Sequence, residues 1–144
     1  PIFARRLGSY WPQGADTFVL DYMSVTSGTG IVPTATVRLR RGDQVTQEAA
    51  CGDGPVDAAC NAIDRITGID CEIVGYSLRA VTGGKDAVGE VVVTLRADEQ
   101  TAIGRGASTD VVEASIQAYL HAVNKLVQRR QTGAAKPPAS RLDY

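Results

Sequence analysis

Histidine, tryptophan and methionine occur once each in the 144 residues, cysteine three times, and aromatic residues make up only 6%. A single histidine leaves no credible nucleophile and base pair and no His-based metal cluster. A surplus of one charge is missing too. Fifteen basic residues face sixteen acidic ones, for a net charge of -1, so nothing drives general binding to nucleic acid or to an anionic membrane. Long apolar runs are absent: stretches such as Val91-Val92-Val93 fall far short of the roughly 20 residues that span a bilayer. The start, Pro1-Ile2-Phe3-Ala4-Arg5-Arg6, carries neither an initiator Met nor the apolar core of a secretory signal. The expectation is a soluble, cytoplasmic piece of a longer chain, with no nucleic-acid and no membrane partner. Cys51, Cys60 and Cys71 form neither a CxxC pair nor a paired-knuckle zinc pattern, and are expected to be buried or half-buried thiols in a reducing compartment. His121 sits on a helical stretch with no Cys or acidic neighbour one turn away, which fits a packed or surface histidine better than a ligand or base.

What the chain does have is 44% hydrophobic and 22% charged residues, enough for one packed domain. That material is arranged as two copies of one pattern, each about 55 residues long. Each copy opens on an apolar strand centred on a tyrosine, Val19-Leu20-Asp21-Tyr22 and Ile73-Val74-Gly75-Tyr76, and reaches a glycine break. A second strand follows, with alternation in Ala35, Val37, Leu39 and in Val91, Val93, Leu95. Gly42-Asp43 and Asp98-Glu99 turn the chain into third strands, Gln44 to Ala50 and Gln100 to Ile103. Each third strand is read as ending in a Gly-x-Gly turn that opens a helix: Gly52-Asp53-Gly54 before Pro55, and Gly104-Arg105-Gly106 before a start capped by Ser108 or Thr109, with Asp110 in the first turn. The unit is βββα, twice, and the fold class is α+β, with two βββα units packed together in pseudo-symmetry. Residues 18–68 and 71–128 hold the repeats, 1–17 read as a lead-in and 129–144 as a loose tail.

The Gly-x-Gly turns would aim backbone N–H groups at open space at a helix N-terminus, a geometry that receives anions. Neither continues into a P-loop or a full GxGxxG fingerprint, and glycines of this kind also serve simply to allow a tight turn. Asp53, Asp57 and Asp110 nearby would repel a dianion yet face an ammonium group, so the pairing suits a zwitterion better than a phosphate. An equal reading for these aspartates is helix capping. A small enzyme using Asp57 or Asp110 as a base is the outlying alternative.

Three ordered motifs carry a resemblance: GDGPVDA at Gly52 to Ala58, VGYSLRAVTGGKDAVGEV at Val74 to Val91, and GRGASTDVVEAS at Gly104 to Ser115. Together they resemble the C-terminal regulatory domain of 2-isopropylmalate synthase, a domain type shared with citramalate synthases. The resemblance implies two packed βββα units, a homodimer, and an effector site between the units near the dimer interface. The effector it implies is L-leucine, acting in feedback inhibition, or isoleucine in the citramalate case. It implies no catalysis by this chain and no cofactor in it. The condensation of acetyl-CoA with 2-oxoisovalerate, and its divalent metal, belong to an upstream TIM barrel with no counterpart here. Carried over residue by residue, the effector site falls on Gly52, Asp53, Gly54 and Asp57 at the first turn. Ile73, Tyr76, Ala80 and Ala87 come from the second copy's first strand and glycine-rich stretch, and Ala107, Ser108 and Thr109 from the second helix start. The family often has Asn at the position of Asp53 and a small apolar residue at that of Asp57.

Overall fold

The structure is a computed structural model and describes residues 2–3, 17–81 and 87–135. Its elements run β1 (Ile2–Phe3), β2 (Val19–Gly28), β3 (Ile31–Arg41), β4 (Gln44–Cys51), α1 (Pro55–Thr67), β5 (Glu72–Ala80), β6 (Gly89–Ala97), β7 (Gln100–Ser108) and α2 (Val111–Ala135). Among the described residues these form two antiparallel sheets, β1-β2-β3-β4 and β5-β6-β7, each followed by a helix. The fold is α+β with the βββα unit present twice.

Strand register shows how the two units correspond. Ala35, Val37 and Leu39 pair with Ala50, Glu48 and Thr46 in the first sheet. Val91, Val93 and Leu95 pair with Gly106, Gly104 and Ala102 in the second. The turns that follow match as well: Gly42 and Asp98 both adopt positive φ, at 63° and 56°. Aspartate tolerates this conformation through local hydrogen bonding, so the turn survives without glycine. Carried forward at the same spacing, Gly52 corresponds to Ser108, and Gly54, which caps α1, corresponds to Asp110.

Two sequence expectations are corrected by this register. The second Gly-x-Gly is not a helix-opening turn, because β7 continues through Gly104 and Gly106 to Ser108. Both glycines lie under α2, where an added Cβ on Gly104 would overlap the Ala118 carbonyl and one on Gly106 the Ala114 carbonyl. Their role is close helix-on-strand approach. The cap of α2 is neither Ser108 nor Thr109 but Asp110, whose Oδ1 accepts the N–H groups of Val112 at 2.8 Å and Glu113 at 3.2 Å. The tyrosines do not match either. Tyr22 stands opposite Arg38, facing away from the helices, and its guanidinium lies over the ring at 5.1 Å. Tyr76 stands opposite Val93, facing α2. A bulge in β2 between Leu20 and Tyr22 and one in β5 between Ile73 and Gly75 sit at corresponding places, so Tyr76 corresponds to Met23 and Tyr22 to Gly75.

α2 is buried without a break from Glu113 to Leu120, which a one-sided amphipathic helix would not be. It lies on β7 and β6 and also packs against α1. Asn124 ties it to the first unit by accepting the Phe18 N–H at 2.8 Å and donating to the Phe18 carbonyl at 2.9 Å. Tyr119 donates to Asp64 of α1 at 2.6 Å. One apolar cluster, with Leu20, Met23, Val37 and Ile63 from the first unit and Val93, Leu95, Ile116 and Leu120 from the second, forms the core.

The helices also close the outer edges of their sheets. Along α2, Gln117 accepts the Ala107 N–H and His121 Nδ1 accepts the Arg105 N–H, while Lys125 donates to the Ile103 carbonyl and Arg129 to the Thr101 carbonyl. Four helical residues advance about 6 Å and two strand residues about 6.6 Å, so side chains one turn apart meet every second residue of β7. In the first unit Asn61 and Arg65 donate to the Cys51 and Ala49 carbonyls of β4 at the corresponding places.

Some boundaries differ from the sequence reading. Ile2–Phe3 of the lead-in joins the first sheet against Met23 and Ser24. α2 continues to Ala135, into the stretch read as a loose tail, and Arg129 serves the edge contact. Residues 4–16 and 136–144 lie outside the described residues. Cys60 is buried and Cys71 half-buried as expected, but Cys51 is exposed, because it ends an edge strand.

Candidate functional site

The candidate residues fall into two groups. The first is the turn between β4 and α1. Gly54 caps α1 with extended backbone and has no side chain to offer, Pro55 follows at the first helical position, and no side-chain cap is present. The neighbouring donors are engaged: Gly52 N–H goes to the Pro33 carbonyl at 3.1 Å and Asp53 N–H to Asp57 Oδ2 at 2.8 Å. Asp57 thus folds back to brace the turn, and the Asp53 side chain is left exposed beside it. α1 therefore presents an uncapped start, whereas α2 is closed by Asp110. Of the two anion-receiving turns expected from the sequence, one remains.

The second group surrounds β5. Ile73, Tyr76, Leu78 and Ala80 pair with Leu95, Val93, Val91 and Gly89, so all four face the same side as the buried stripe of β6. α2 covers β7 and β6 but does not extend over β5, and Ile73, Tyr76 and Leu78 stay 46%, 48% and 48% exposed. Their counterparts in the first unit, Leu20, Met23 and Val25, are 1%, 1% and 6% exposed. The pseudo-symmetry is thus broken in burial: the second sheet leaves the apolar face of β5 exposed beside α2, a shallow groove that Tyr76 reaches across, where the same face of β2 is buried.

Ala80, Gly89 and Ser108 lie in one row across this sheet, which brings Ser108 to the same face at the groove's end. Gly89 is close to Leu78 and Val111, and its missing side chain leaves the row low. Ser108 donates to Glu113 at 2.5 Å and accepts the Asp110 N–H at 3.1 Å, so its hydroxyl is engaged in holding the start of α2. Ala107, by contrast, pairs with Glu90 on the opposite face, and its N–H goes to Gln117. Thr109 is exposed beside Asp110, and Ala87 is exposed ahead of β6. Thr82 to Asp86 of the glycine-rich stretch lie outside the described residues. No hydrogen bond among the described residues joins the Gly52–Asp57 turn to the β5 group.

Sequence reasoning missed Leu78, Gly89 and Ser115. Alternation from Tyr76 was sufficient to find Leu78. Ser115 of α2 lies within 2.7 Å of the Tyr76 hydroxyl, and nothing in the linear sequence links positions so far apart. Two acidic side chains on an exposed turn and a groove of apolar residues make no metal cradle, and no three His, Cys, Asp or Glu side chains converge among the described residues. No helix among them is long and apolar enough to cross a membrane.

An uncapped helix start beside an exposed carboxylate, together with an exposed apolar face on β5, is the geometry of a ligand-binding or partner-binding module. Comparison with known proteins makes this specific. The chain belongs to the family described as the LeuA allosteric (dimerisation) domain, which it matches over residues 2–127. It is 55% identical over 112 residues to the 2-isopropylmalate synthase of Pelotomaculum thermopropionicum, covering 77% of this chain and 22% of that protein. The 2-isopropylmalate synthase of Heliobacterium modesticaldum is 51% identical over 112 residues, with 78% and 22% covered. That of Brevibacillus brevis is 50% identical over 119 residues, with 82% and 23% covered. The chain thus spans less than a quarter of the length of these relatives.

Proposed function

We propose that this chain is the regulatory part of a 2-isopropylmalate synthase, that it binds L-leucine, and that binding mediates feedback inhibition of leucine biosynthesis. The observation that carries this reading is the asymmetry between the units: among the described residues α1 starts uncapped where α2 is capped by Asp110, and β5 leaves exposed the apolar face that its counterpart β2 buries. The leucine carboxylate takes the N–H groups of the first turn of α1. Its ammonium faces Asp53, since Asp57 is already bracing the turn. The isobutyl group occupies the groove lined by Ile73, Tyr76, Leu78 and Ala80, with Ala87 near its mouth.

The two groups are completed into one site when a second copy of the chain pairs with the first, as the family's description as a dimerisation domain supports. Condensation of acetyl-CoA with 2-oxoisovalerate, and the divalent metal it uses, fall to a catalytic TIM barrel of the same polypeptide, and this chain contributes regulation alone. Inhibition then reflects the ligand's preference for one arrangement of the intact enzyme, typically worth about 1 to 3 kcal/mol.

Calorimetry on the folded protein with leucine, isoleucine and valine separately is the test. Heat with leucine at the lowest concentration supports the assignment, and strongest binding of isoleucine reassigns the chain to citramalate synthase regulation. Silence with all three removes the effector reading. Ala80→Phe, which fills the end of the groove, should abolish leucine binding while the circular dichroism spectrum stays unchanged.

A further inference from the structure

Resting on the effector reading, a second question is what keeps the groove beside β5 open and of fixed width. Tyr76 Oη lies 2.7 Å from Ser115 Oγ, and Ser115 donates to the Val111 carbonyl at 2.7 Å. A serine hydroxyl has one proton, and here it goes to a carbonyl that can only accept. The Tyr76 hydroxyl is therefore the donor to Ser115, and the chain of bonds runs Tyr76 to Ser115 to Val111 in one direction, each polarising the next. Ser115 is buried, while the Tyr76 ring is half exposed with its hydroxyl reaching across to α2.

The corresponding positions in the first unit are Met23 and Ala59, both buried, in a sheet whose inner face is closed. The second unit thus differs at both positions together. A flexible thioether opposite a methyl fills space, whereas a phenol held by a serine stands across space and keeps it. Ser115 also pins the ring to the first turn of α2, next to the row Ala80, Gly89 and Ser108.

We propose that Ser115 is a positioning residue of the effector site: by accepting the Tyr76 hydroxyl it fixes the ring as a rigid wall, and the width so set selects a branched aliphatic side chain. Without it the ring turns freely, the groove loses one boundary, and affinity falls while discrimination relaxes.

The experiment compares the parent protein with Ser115→Ala, Tyr76→Phe and the double variant, using calorimetry with leucine, isoleucine and valine and, without ligand, carbon-13 relaxation of the Tyr76 ring in the parent and Ser115→Ala. Each single variant should lose about three- to tenfold in leucine affinity, the worth of one neutral hydrogen bond. The double variant should lose no more than either single one, because both cut the same link. The ratio of leucine to isoleucine affinity should shrink towards one, and the ring's order parameter should drop in Ser115→Ala. Unchanged affinity, ratio and ring motion in Ser115→Ala overturn the positioning role while leaving the effector reading intact. Additive losses in the double variant overturn it equally. A parent protein that binds none of the three amino acids removes the effector reading, and this inference with it.

Discussion

A methyl group added to Gly54 and one added to Gly104 meet opposite surroundings. Nothing lies within 4 Å of the first, whereas the second would run into the backbone of α2 at Ala118 and Ala122. Gly104→Ala should therefore cost about 1 to 3 kcal/mol or more by overpacking, seen as a lower urea midpoint. Gly54→Ala should lower the midpoint only by the small cost of a poorer helix cap and weaken leucine binding several-fold, since its Cβ would sit where the proposed site receives the carboxylate. If Gly54→Ala binds leucine as tightly as the parent, the anion-receiving role of this turn is wrong. His121 offers a second test at this scale. It accepts the Arg105 N–H through Nδ1 and so must be neutral there. Burial holds its imidazole below the ordinary range, and the charges of Lys125 and Arg105 act in the same direction. A base whose folded value is lowered contributes stability above its unfolded value of about 6.5 and loses it as pH falls through the folded one. His121→Gln keeps an acceptor, as Gln117 does one turn earlier, so the variant should match the parent at pH 8 and exceed it progressively in urea titrations below pH 6.

Between elements, the contact of α1 with α2 holds the more unusual titration. Asp64 accepts the Tyr119 hydroxyl, with Cys71 Sγ 3.4 Å from the same hydroxyl. Burial raises its carboxyl from 3.8 to about 6, the Tyr119 hydrogen bond opposes this, and the charges of Asp70 and Asp57 add to it. The buried Cys60 thiol is itself pushed up by burial and by the charges of Asp64 and Asp57. For an acid whose folded value is raised, the contribution to stability is full below the unfolded value and lost as pH rises through the folded one. Asp64→Asn retains an acceptor for Tyr119, so it should equal the parent near pH 4 and be the more stable at pH 8. The gain should be smaller than the full shift implies, because the carboxyl keeps some solvent. A parent-like stability at pH 8 in the variant would show that the carboxylate costs nothing there.

The elements themselves were largely visible in the sequence, because alternation in Val37 and Leu39 or Val93 and Leu95 reports a half-buried strand directly. Their correspondence was not. Matching tyrosine to tyrosine and Gly-x-Gly to Gly-x-Gly places each pair out of true alignment, since similar letters occur at positions with different tasks. Tyr22 stacks under Arg38 on the outer face while Tyr76 stands in the groove. Gly52 and Gly54 belong to a turn, whereas Gly104 and Gly106 lie under a helix. Bulges and helix-to-strand distances decide such matters, and neither leaves a mark in hydropathy. The motifs singled out the turn at Gly52 to Asp57 and the residues Ile73, Tyr76 and Ala80, but that these three share one face and that Ala107 lies on the opposite one needed the register.

At the scale of the whole molecule, the outer strands differ in how they are finished. β4 and β7 carry helix side chains along their edges, and β2 is flanked by Ile2–Phe3. Among the described residues β5 pairs with β6 alone, and its residues are exposed on nearly every position of both faces. A strand in that state, apolar on its inner face, is what a second copy would cover in the proposed dimer. The contrast with the first unit makes the idea testable with one pair of changes, Leu78→Asp and Val25→Asp, at corresponding positions. Val25 is enclosed within a single copy, so a carboxylate there is buried without a partner and should unfold the chain or cost several kcal/mol. Leu78 is enclosed only if a second copy covers it, so Leu78→Asp should leave the circular dichroism spectrum intact and turn a dimer into a monomer by sedimentation. The same variant should lose leucine binding, because the proposed site joins the turn at Gly54 of one copy to the β5 face of the other. A Leu78→Asp protein that still sediments as a dimer would move the interface away from β5, whereas one that is monomeric yet binds leucine normally would place both halves of the site within a single copy.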